Sequence, residues 1–183
     1  MIILLGAPGS GKGTQCEKLS KYLEIACICM GDIVREQIKN QTPLGSEMKS
    51  FLDRGDLVPD SIINAMYEEN KPKYESPYGA LLDGFPRTIT QAKYLAEIYS
   101  DIQVDTKVIL IDVPNEQLIE RLLERKRSDD TIDVIKNRLV NYQREIEPLL
   151  DYYKKDLIKI NGTGTVEDVF NQICNKIKNT CYF

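Results

Sequence analysis

The stretch GAPGSGKGT at residues 6–14 decides how the rest of the chain is interpreted. It follows the aliphatic run Ile2–Leu5 and precedes a stretch of helix-forming residues. Its glycines allow backbone conformations in which successive N–H groups turn inward around an anion, and the following helix adds the positive end of its dipole. Lys12 adds a full positive charge. We therefore predict a loop that binds the phosphates of a nucleoside triphosphate. A glycine-rich turn without chemical purpose is the weaker alternative.

The residue after Lys12 departs from the common pattern of such loops. Gly13 stands where a serine or threonine is usual, and the hydroxyl arrives one position later, at Thr14. We expect Mg²⁺ to accompany the nucleotide, with Thr14 a weaker candidate ligand than the hydroxyl of the common arrangement.

Five short runs rich in β-branched and aliphatic residues are typical of buried parallel strands. They are residues 2–5, 25–29, 80–82, 107–113 and 157–160. Between them lie helical patterns with apolar residues three and four apart, for example Leu118 and Leu122. This alternation predicts an α/β fold in which a three-layer, doubly wound sheet of five parallel strands carries the phosphate loop, with residues 1–183 as one domain.

One connection is too long to be a simple crossover. Fifty residues separate Cys29 from Ala80, whereas a β-to-β crossover with its helix needs about a dozen or more. The surplus carries helix signals of its own at 32–38, 45–52 and 61–69. We predict a small helical subdomain inserted at about 30–59, which forms one wall of a cleft at the carboxyl ends of the strands.

The composition excludes several classes of protein. With 24 basic and 28 acidic side chains the net charge is −4, and histidine is absent. We expect no nucleic-acid partner at this charge, and a histidine-dependent nucleophile or zinc site is excluded. No apolar run approaches the roughly 20 residues that span a bilayer, so we expect no membrane partner. The five cysteines, odd in number and without C-x-x-C spacing, predict reduced thiols in the cytoplasm, with Cys27 and Cys29 as small apolar side chains of a buried strand.

A carboxylate and a guanidinium flank the turn after the third predicted strand. Asp83 ends that strand, and Arg87 follows the turn. A carboxylate placed opposite a phosphate loop can hold Mg²⁺ through water, and a guanidinium matches a phosphate with two parallel hydrogen bonds. The alternative is a solvated ion pair within the turn.

Arginine is concentrated in one part of the chain. Four of the eight arginines fall within 18 residues, namely Arg121, Arg125, Arg127 and Arg138. Helices that bring them together would build a cationic pocket around transferring phosphoryl groups. An ordinary solvated helical surface is the alternative.

The loop resembles that of nucleoside monophosphate kinases, and two further strings resemble adenylate kinases in particular: MGDIVR at residues 30–35 and LLDGFPRTITQA at residues 81–92. The resemblance runs from residue 2 to about residue 170. It implies reversible, Mg²⁺-dependent phosphoryl transfer from ATP to AMP, giving two ADP, by an enzyme that we expect to be a cytoplasmic monomer. The accepting phosphate oxygen is already anionic, so the reaction needs no general base and no histidine.

The resemblance also implies a set of residues for each nucleotide. For ATP the set is Gly9, Ser10, Gly11, Lys12, Gly13, Thr14, Arg121, Arg125 and Gly164. For AMP it is Met30, Arg35, Asp56, Leu57, Val58, Gly84, Phe85, Pro86, Arg87, Gln91, Arg127 and Arg138. The groups expected to act on the transferring phosphoryl are Lys12, Arg87, Arg121, Arg125, Arg127 and Arg138, with Asp83, through water, and Thr14 toward the metal.

Two departures from the family leave alternatives open. Gln91 can donate to and accept from an adenine edge together, but Met30 matches neither the Thr or Ser of adenylate kinases nor the small residue of pyrimidine kinases. Only Lys126 separates Arg125 from Arg127, so the lid, at about 125–131, is minimal. A uridylate or cytidylate kinase is therefore one alternative, and a nucleotide-binding regulatory protein with weak catalysis is another.

Overall fold

The computed structural model describes residues 1–74, 79–101, 104–125, 127 and 130–178. Within them, strands and helices alternate along most of the chain. The strands are β1 (Ile2–Leu5), β2 (Ala26–Cys29), β3 (Ala80–Asp83), β4 (Lys107–Asp112) and β5 (Leu157–Asn161). The helices are α1 (Lys12–Leu23), α2 (Met30–Lys39), α3 (Pro43–Arg54), α4 (Asp60–Tyr74), α5 (Ile89–Ile98), α6 (Asn115–Arg125), α7 (Ile132–Tyr152) and α8 (Val166–Lys178).

The strands form one parallel sheet in the order β2-β3-β1-β4-β5. Ile2 of β1 lies opposite Leu81 on one side and Lys107 on the other, so β1 occupies the centre. The chain leaves this central strand toward one edge through β2 and β3 and then crosses to the other edge through β4 and β5, which places a crevice at the carboxyl end of β1. The predicted α/β sheet of five parallel strands is confirmed.

Helices cover both faces of the sheet, which explains why its strands are continuously apolar. In β1, Ile3 faces one core cluster and Leu4 the other. In β4, Val108 and Ile109 divide in the same way, and both are fully buried. The sheet is therefore a rigid platform whose carboxyl ends carry the polar residues described below.

Three helices, α2, α3 and α4, lie between β2 and β3, where the sequence predicted helices. The ends of α3 are set by local chemistry. Thr42 caps it by accepting a hydrogen bond from the Gly45 N–H at 2.9 Å, and Pro43 occupies the first turn. Gly55 ends it with φ of 77°. Within the described residues, no helix combines the length and the apolar character that crossing a bilayer requires.

The prediction for Cys27 was wrong. Cys16 of α1 and Cys27 of β2 form a disulfide, with Cα atoms 6.3 Å apart. The helix turns Cys16 toward the neighbouring strand, a relation between two elements that the spacing of cysteines along the sequence does not encode. Cys29, two residues further along β2, is a free thiol, as is the buried Cys174. The expectation of uniformly reduced thiols therefore fails for this pair.

Candidate active site

The phosphate loop leaves β1 after Leu5 and enters α1 at Lys12. Gly11 precedes the helix with φ of 93°, and no side chain of the described residues caps the first turn, so its N–H groups are left for an anion. At Gly9, φ is 86°, and a Cβ would lie 2.9 Å from Leu122 Cγ. The loop thus passes too close to α6 for any side chain at this position.

The Lys12 side chain folds back along the loop. Its Nζ donates to the carbonyl oxygens of Gly6 at 2.7 Å and Ala7 at 3.0 Å. Burial lowers the pKa of Lys12 to about 8; Asp83 opposes this change, and Arg87 and Arg125 add to it. A phosphate in the loop would favour the charged ammonium and replace the carbonyls as its partner.

Asp83 is a buried carboxylate beside the first turn of α1. It is 7% exposed, and a Cβ on Gly13 would lie 3.4 Å from its Oδ2 atom. The Cys29 thiol donates to the same oxygen at 3.6 Å, and burial together with Asp83 raises the pKa of Cys29 to about 12. Thr14 is exposed in the same turn of α1. Carboxylate and hydroxyl oxygens are the ligands that Mg²⁺ prefers, so this pair fits that ion.

Asp130 holds two of the clustered arginines. Arg125 donates to both its carboxylate oxygens, at 2.9 and 2.7 Å, and Arg138 donates to one of them at 3.0 Å. The Asp130 side chain is 1% exposed, so this charge is compensated by two guanidinium groups rather than by water. On the same side of the cleft, Arg121 donates to the Gly162 carbonyl at 3.0 Å.

On the opposite side of the cleft, two arginines are oriented by nearby groups. Arg35 of α2 pairs with Asp32, one turn earlier in the same helix. Arg87 donates from Nε to the Gly84 carbonyl at 3.0 Å. Arg127 is exposed.

Gln91, the predicted base reader, is 2% exposed and held on both sides of its carboxamide. Its Oε1 accepts from the Arg87 N–H at 2.7 Å, and its Nε2 donates to Asp60 Oδ1 at 2.7 Å. Thr88 completes the network: its hydroxyl accepts from the Gln91 N–H at 3.1 Å and donates to Asp60 Oδ2 at 2.9 Å.

The end of α3 is fastened to α7 by two asparagines. Asn137 donates to the Arg54 carbonyl at 2.7 Å and to Asp56 Oδ1 at 2.8 Å. Asn141, which is buried, donates to the Gly55 carbonyl at 3.1 Å. The wall that carries Asp56 is therefore positioned by the helix that carries Arg138.

All these groups border a cavity of about 1140 Å³ at the carboxyl ends of the strands. Every residue expected to bind ATP, AMP or metal lines this cavity, except Phe85. Phe85 is 1% exposed and stacks on Tyr67 in the core, with ring centroids 4.6 Å apart, so it supports the turn from behind. Residues 126, 128 and 129 of the predicted lid lie outside the described residues.

Sequence reasoning missed the polar residues that orient the site. For Thr88 a signal existed, because a threonine followed three residues later by glutamine is a helix-capping pattern. Asp60, Asn137 and Asn141 gave no such signal, since each acts on a residue more than 30 positions away.

Comparison with known proteins gives one consistent result. A family model described as adenylate kinase matches residues 4–158. A protein named adenylate kinase from Mycolicibacterium vanbaalenii is 46% identical over 171 residues, covering 92% of this chain and 94% of the relative. An adenylate kinase of Leptospira biflexa is 42% identical over 183 residues, covering 96% and 98% respectively. Adenylate kinase 1 of a Nostoc species is 41% identical over 175 residues, covering 94% and 95%.

Proposed function

The chain belongs to the adenylate kinase family and transfers a phosphoryl group between ATP and AMP to give two ADP, and from this premise we propose which residues bind each nucleotide. The observation that carries the proposal is that the phosphate loop, a buried carboxylate and six arginines line one cavity. An acidic protein that gathers guanidinium groups around a single cleft is built to neutralise several phosphates there.

ATP lies along the phosphate loop. The N–H groups of residues 9–14 and the Lys12 ammonium bind its β and γ phosphates, because the helix end there has no side-chain cap. Arg121 and Arg125 neutralise the same phosphates from α6. Gly164 lies against the adenine of ATP. It belongs to the same loop as Gly162, whose carbonyl oxygen accepts a hydrogen bond from Arg121.

AMP lies on the other side of the cleft. Arg35 and Arg87 bind its phosphate, and Gln91 reads the adenine. The remaining wall comes from Met30, Gly84, Pro86 and residues 56–58, which border the same cavity. Arg127 and Arg138 lie between the two nucleotides and neutralise both.

Mg²⁺ is the cofactor that the donor set suits. Asp83 would hold it through water, with the Thr14 hydroxyl as a second candidate ligand. Among the described residues no group of three acidic, cysteine or histidine side chains is arranged to hold a metal ion by itself, so phosphate oxygens and water would complete the coordination. When bound, the ion neutralises charge on the β and γ phosphates.

The chemical step needs alignment rather than proton transfer. An oxygen of the AMP phosphate attacks the γ phosphorus of ATP, the bond from that phosphorus to the bridging oxygen breaks, and ADP leaves with the bond's electrons. Lys12 and the arginines stabilise the charge on the transferring group and hold both phosphates in line.

Three coarser proposals complete the assignment. Residues of about 30–59 form the subdomain that binds AMP, and the lid lies at about 125–131. The enzyme acts as a monomer, because every proposed contact to both nucleotides comes from one chain. It acts in the cytoplasm, where ATP and AMP are exchanged; the Cys16–Cys27 disulfide withdraws the support that cysteine usage gave to that location.

One assay tests the assignment. ATP is supplied with AMP, CMP, UMP or GMP in parallel, and nucleoside diphosphate formation is followed by a coupled reaction. We expect AMP to give the largest kcat/KM, with two ADP formed per AMP consumed. Equal or faster phosphorylation of CMP or UMP would overturn the proposed adenine site, and ATP binding without any turnover would overturn the catalytic assignment.

A further inference from the structure

We propose that Asp60 determines base specificity by locking the Gln91 carboxamide in the orientation that accepts adenine and rejects a 6-oxopurine. The inference rests on the proposed role of Gln91 at the AMP base. It comes from the hydrogen-bond network around the Gln91 side chain. Asp60 belongs to this network but does not line the cavity.

The network allows one orientation of the carboxamide. A carboxylate can only accept, so the group facing Asp60 at 2.7 Å must be the Gln91 amide nitrogen. A backbone N–H can only donate, so the group facing the Arg87 nitrogen at 2.7 Å must be the carbonyl oxygen. The Thr88 hydroxyl accepts from the Gln91 N–H, which leaves its own proton for Asp60. The two side-chain donors of the network, the Gln91 amide and the Thr88 hydroxyl, therefore both donate to Asp60.

The fixed carboxamide keeps one lone pair on its oxygen and one N–H unused. This pair matches the Watson–Crick edge of adenine, whose amino group donates and whose N1 accepts. Hypoxanthine and guanine present the reverse pattern, a 6-oxo acceptor beside an N1–H donor. To pair with them, Gln91 must rotate by 180° about its last torsion.

Asp60 makes that rotation unfavourable. It would turn the carbonyl oxygen of Gln91 toward the carboxylate and replace a charge-assisted hydrogen bond by repulsion between two acceptors. It would also set the amide against the Arg87 N–H. Because Gln91 is 2% exposed, water is not available to repair either contact.

The test compares AMP with inosine monophosphate, which differs at the two base positions in question and lacks the extra amino group of guanine. The variant Asp60→Asn can place its own amide N–H opposite the carbonyl of a rotated Gln91. We expect the ratio of kcat/KM for AMP to kcat/KM for inosine monophosphate to fall by about tenfold or more. In Asp60→Ala, which removes the acceptor but supplies no donor, we expect a smaller fall.

A merely structural role would lower both kcat/KM values together and leave their ratio unchanged, which would overturn the inference. Circular dichroism and thermal unfolding check each variant, and Asp60→Ala carries the test if Asp60→Asn does not fold. The matched control is Asp151→Asn, whose carboxylate is 79% exposed at the end of α7, and its ratio should equal that of the unsubstituted enzyme.

Gln91→Ala separates this inference from the proposal beneath it. If the ratio is unchanged in Gln91→Ala, the assigned AMP base site is wrong. If Gln91→Ala lowers the ratio and Asp60→Asn does not, the assigned base site is supported and only the orienting role of Asp60 is refuted. If Asp60 acts on specificity through Gln91, Asp60→Asn has no further effect on the ratio in the Gln91→Ala background.

Discussion

Raising the pH from 7.5 to 9.5 should weaken ATP binding by about 25-fold, because Lys12 must carry a proton to bind phosphate. Burial lowers its pKa in the free enzyme to about 8. About three quarters of the molecules are then protonated at pH 7.5 and about 3% at pH 9.5. A bound triphosphate stabilises the ammonium and raises its pKa, so binding above pH 8 takes up a proton and the affinity falls about tenfold per pH unit. Below about pH 7 Lys12 is almost fully protonated, so its titration should no longer change the affinity with pH.

Two other groups that border the cleft, the Cys29 thiol and the Tyr142 hydroxyl, lose their protons above this window. Burial, with a smaller contribution from a nearby aspartate, raises the pKa of both Cys29 and Tyr142 to about 12. Isothermal titration calorimetry with ATP at pH 7.5, 9 and 9.5 measures the Kd, and at pH 9, in buffers of different ionisation enthalpy, it also measures the number of protons bound.

The same experiment on two variants isolates Lys12. Lys12→Met should bind ATP weakly at every pH and take up no proton through this site. Lys49→Met removes an exposed lysine of α3 and should keep the profile of the unsubstituted enzyme. A Kd that stays constant between pH 7.5 and 9.5, or binding at pH 9 without proton uptake, would refute the reasoning.

Three further predictions concern the framework of the site. Reducing the Cys16–Cys27 disulfide, which closes a short loop, should lower the free energy of unfolding by about 3 kcal/mol and the melting temperature by about 6–12 °C. Calorimetry should show no such effect of the reductant on the double alanine variant. Asn137→Ala should raise KM for AMP severalfold and leave KM for ATP unchanged, because it removes the hydrogen bond from α7 to Asp56 in the proposed AMP site. Equal changes in the two KM values would contradict this. Gly55→Ala should lower the free energy of unfolding in urea by about 1–3 kcal/mol, since its Cβ would lie 2.6 Å from the Val134 carbonyl oxygen at φ of 77°, and an unchanged midpoint would count against it.

The sequence predicted the sheet well because buried parallel strands leave an unbroken apolar signal. All five strands lie within a residue of the expected positions, and the phosphate loop follows the central one. Most of the candidate site could be predicted for a related reason. Lys12 sits in a contiguous motif, and Asp83, Arg87 and Gln91 lie within nine residues of one another, so local pattern alone brings them together.

What the sequence could not predict depends on which faces meet in space. The Cys16–Cys27 disulfide requires a helix and a strand to turn toward each other. Asp60 reaches Gln91 across 31 residues, and Asn137 reaches Asp56 across 81. Aspartate and asparagine are common on surfaces, so nothing in the local pattern distinguishes these from solvated side chains.

The turnover of Arg87→Ala tests most directly whether the arginines that line this cleft stabilise the phosphoryl group during transfer. Arg87 borders both Lys12 and Asp83 and adds its charge at the proposed AMP phosphate. We expect kcat/KM for AMP to fall by about two orders of magnitude or more in a variant that remains folded. Arg144→Ala, which removes an exposed arginine of α7, should leave it unchanged. A folded Arg87→Ala enzyme within threefold of the unsubstituted rate would contradict the account.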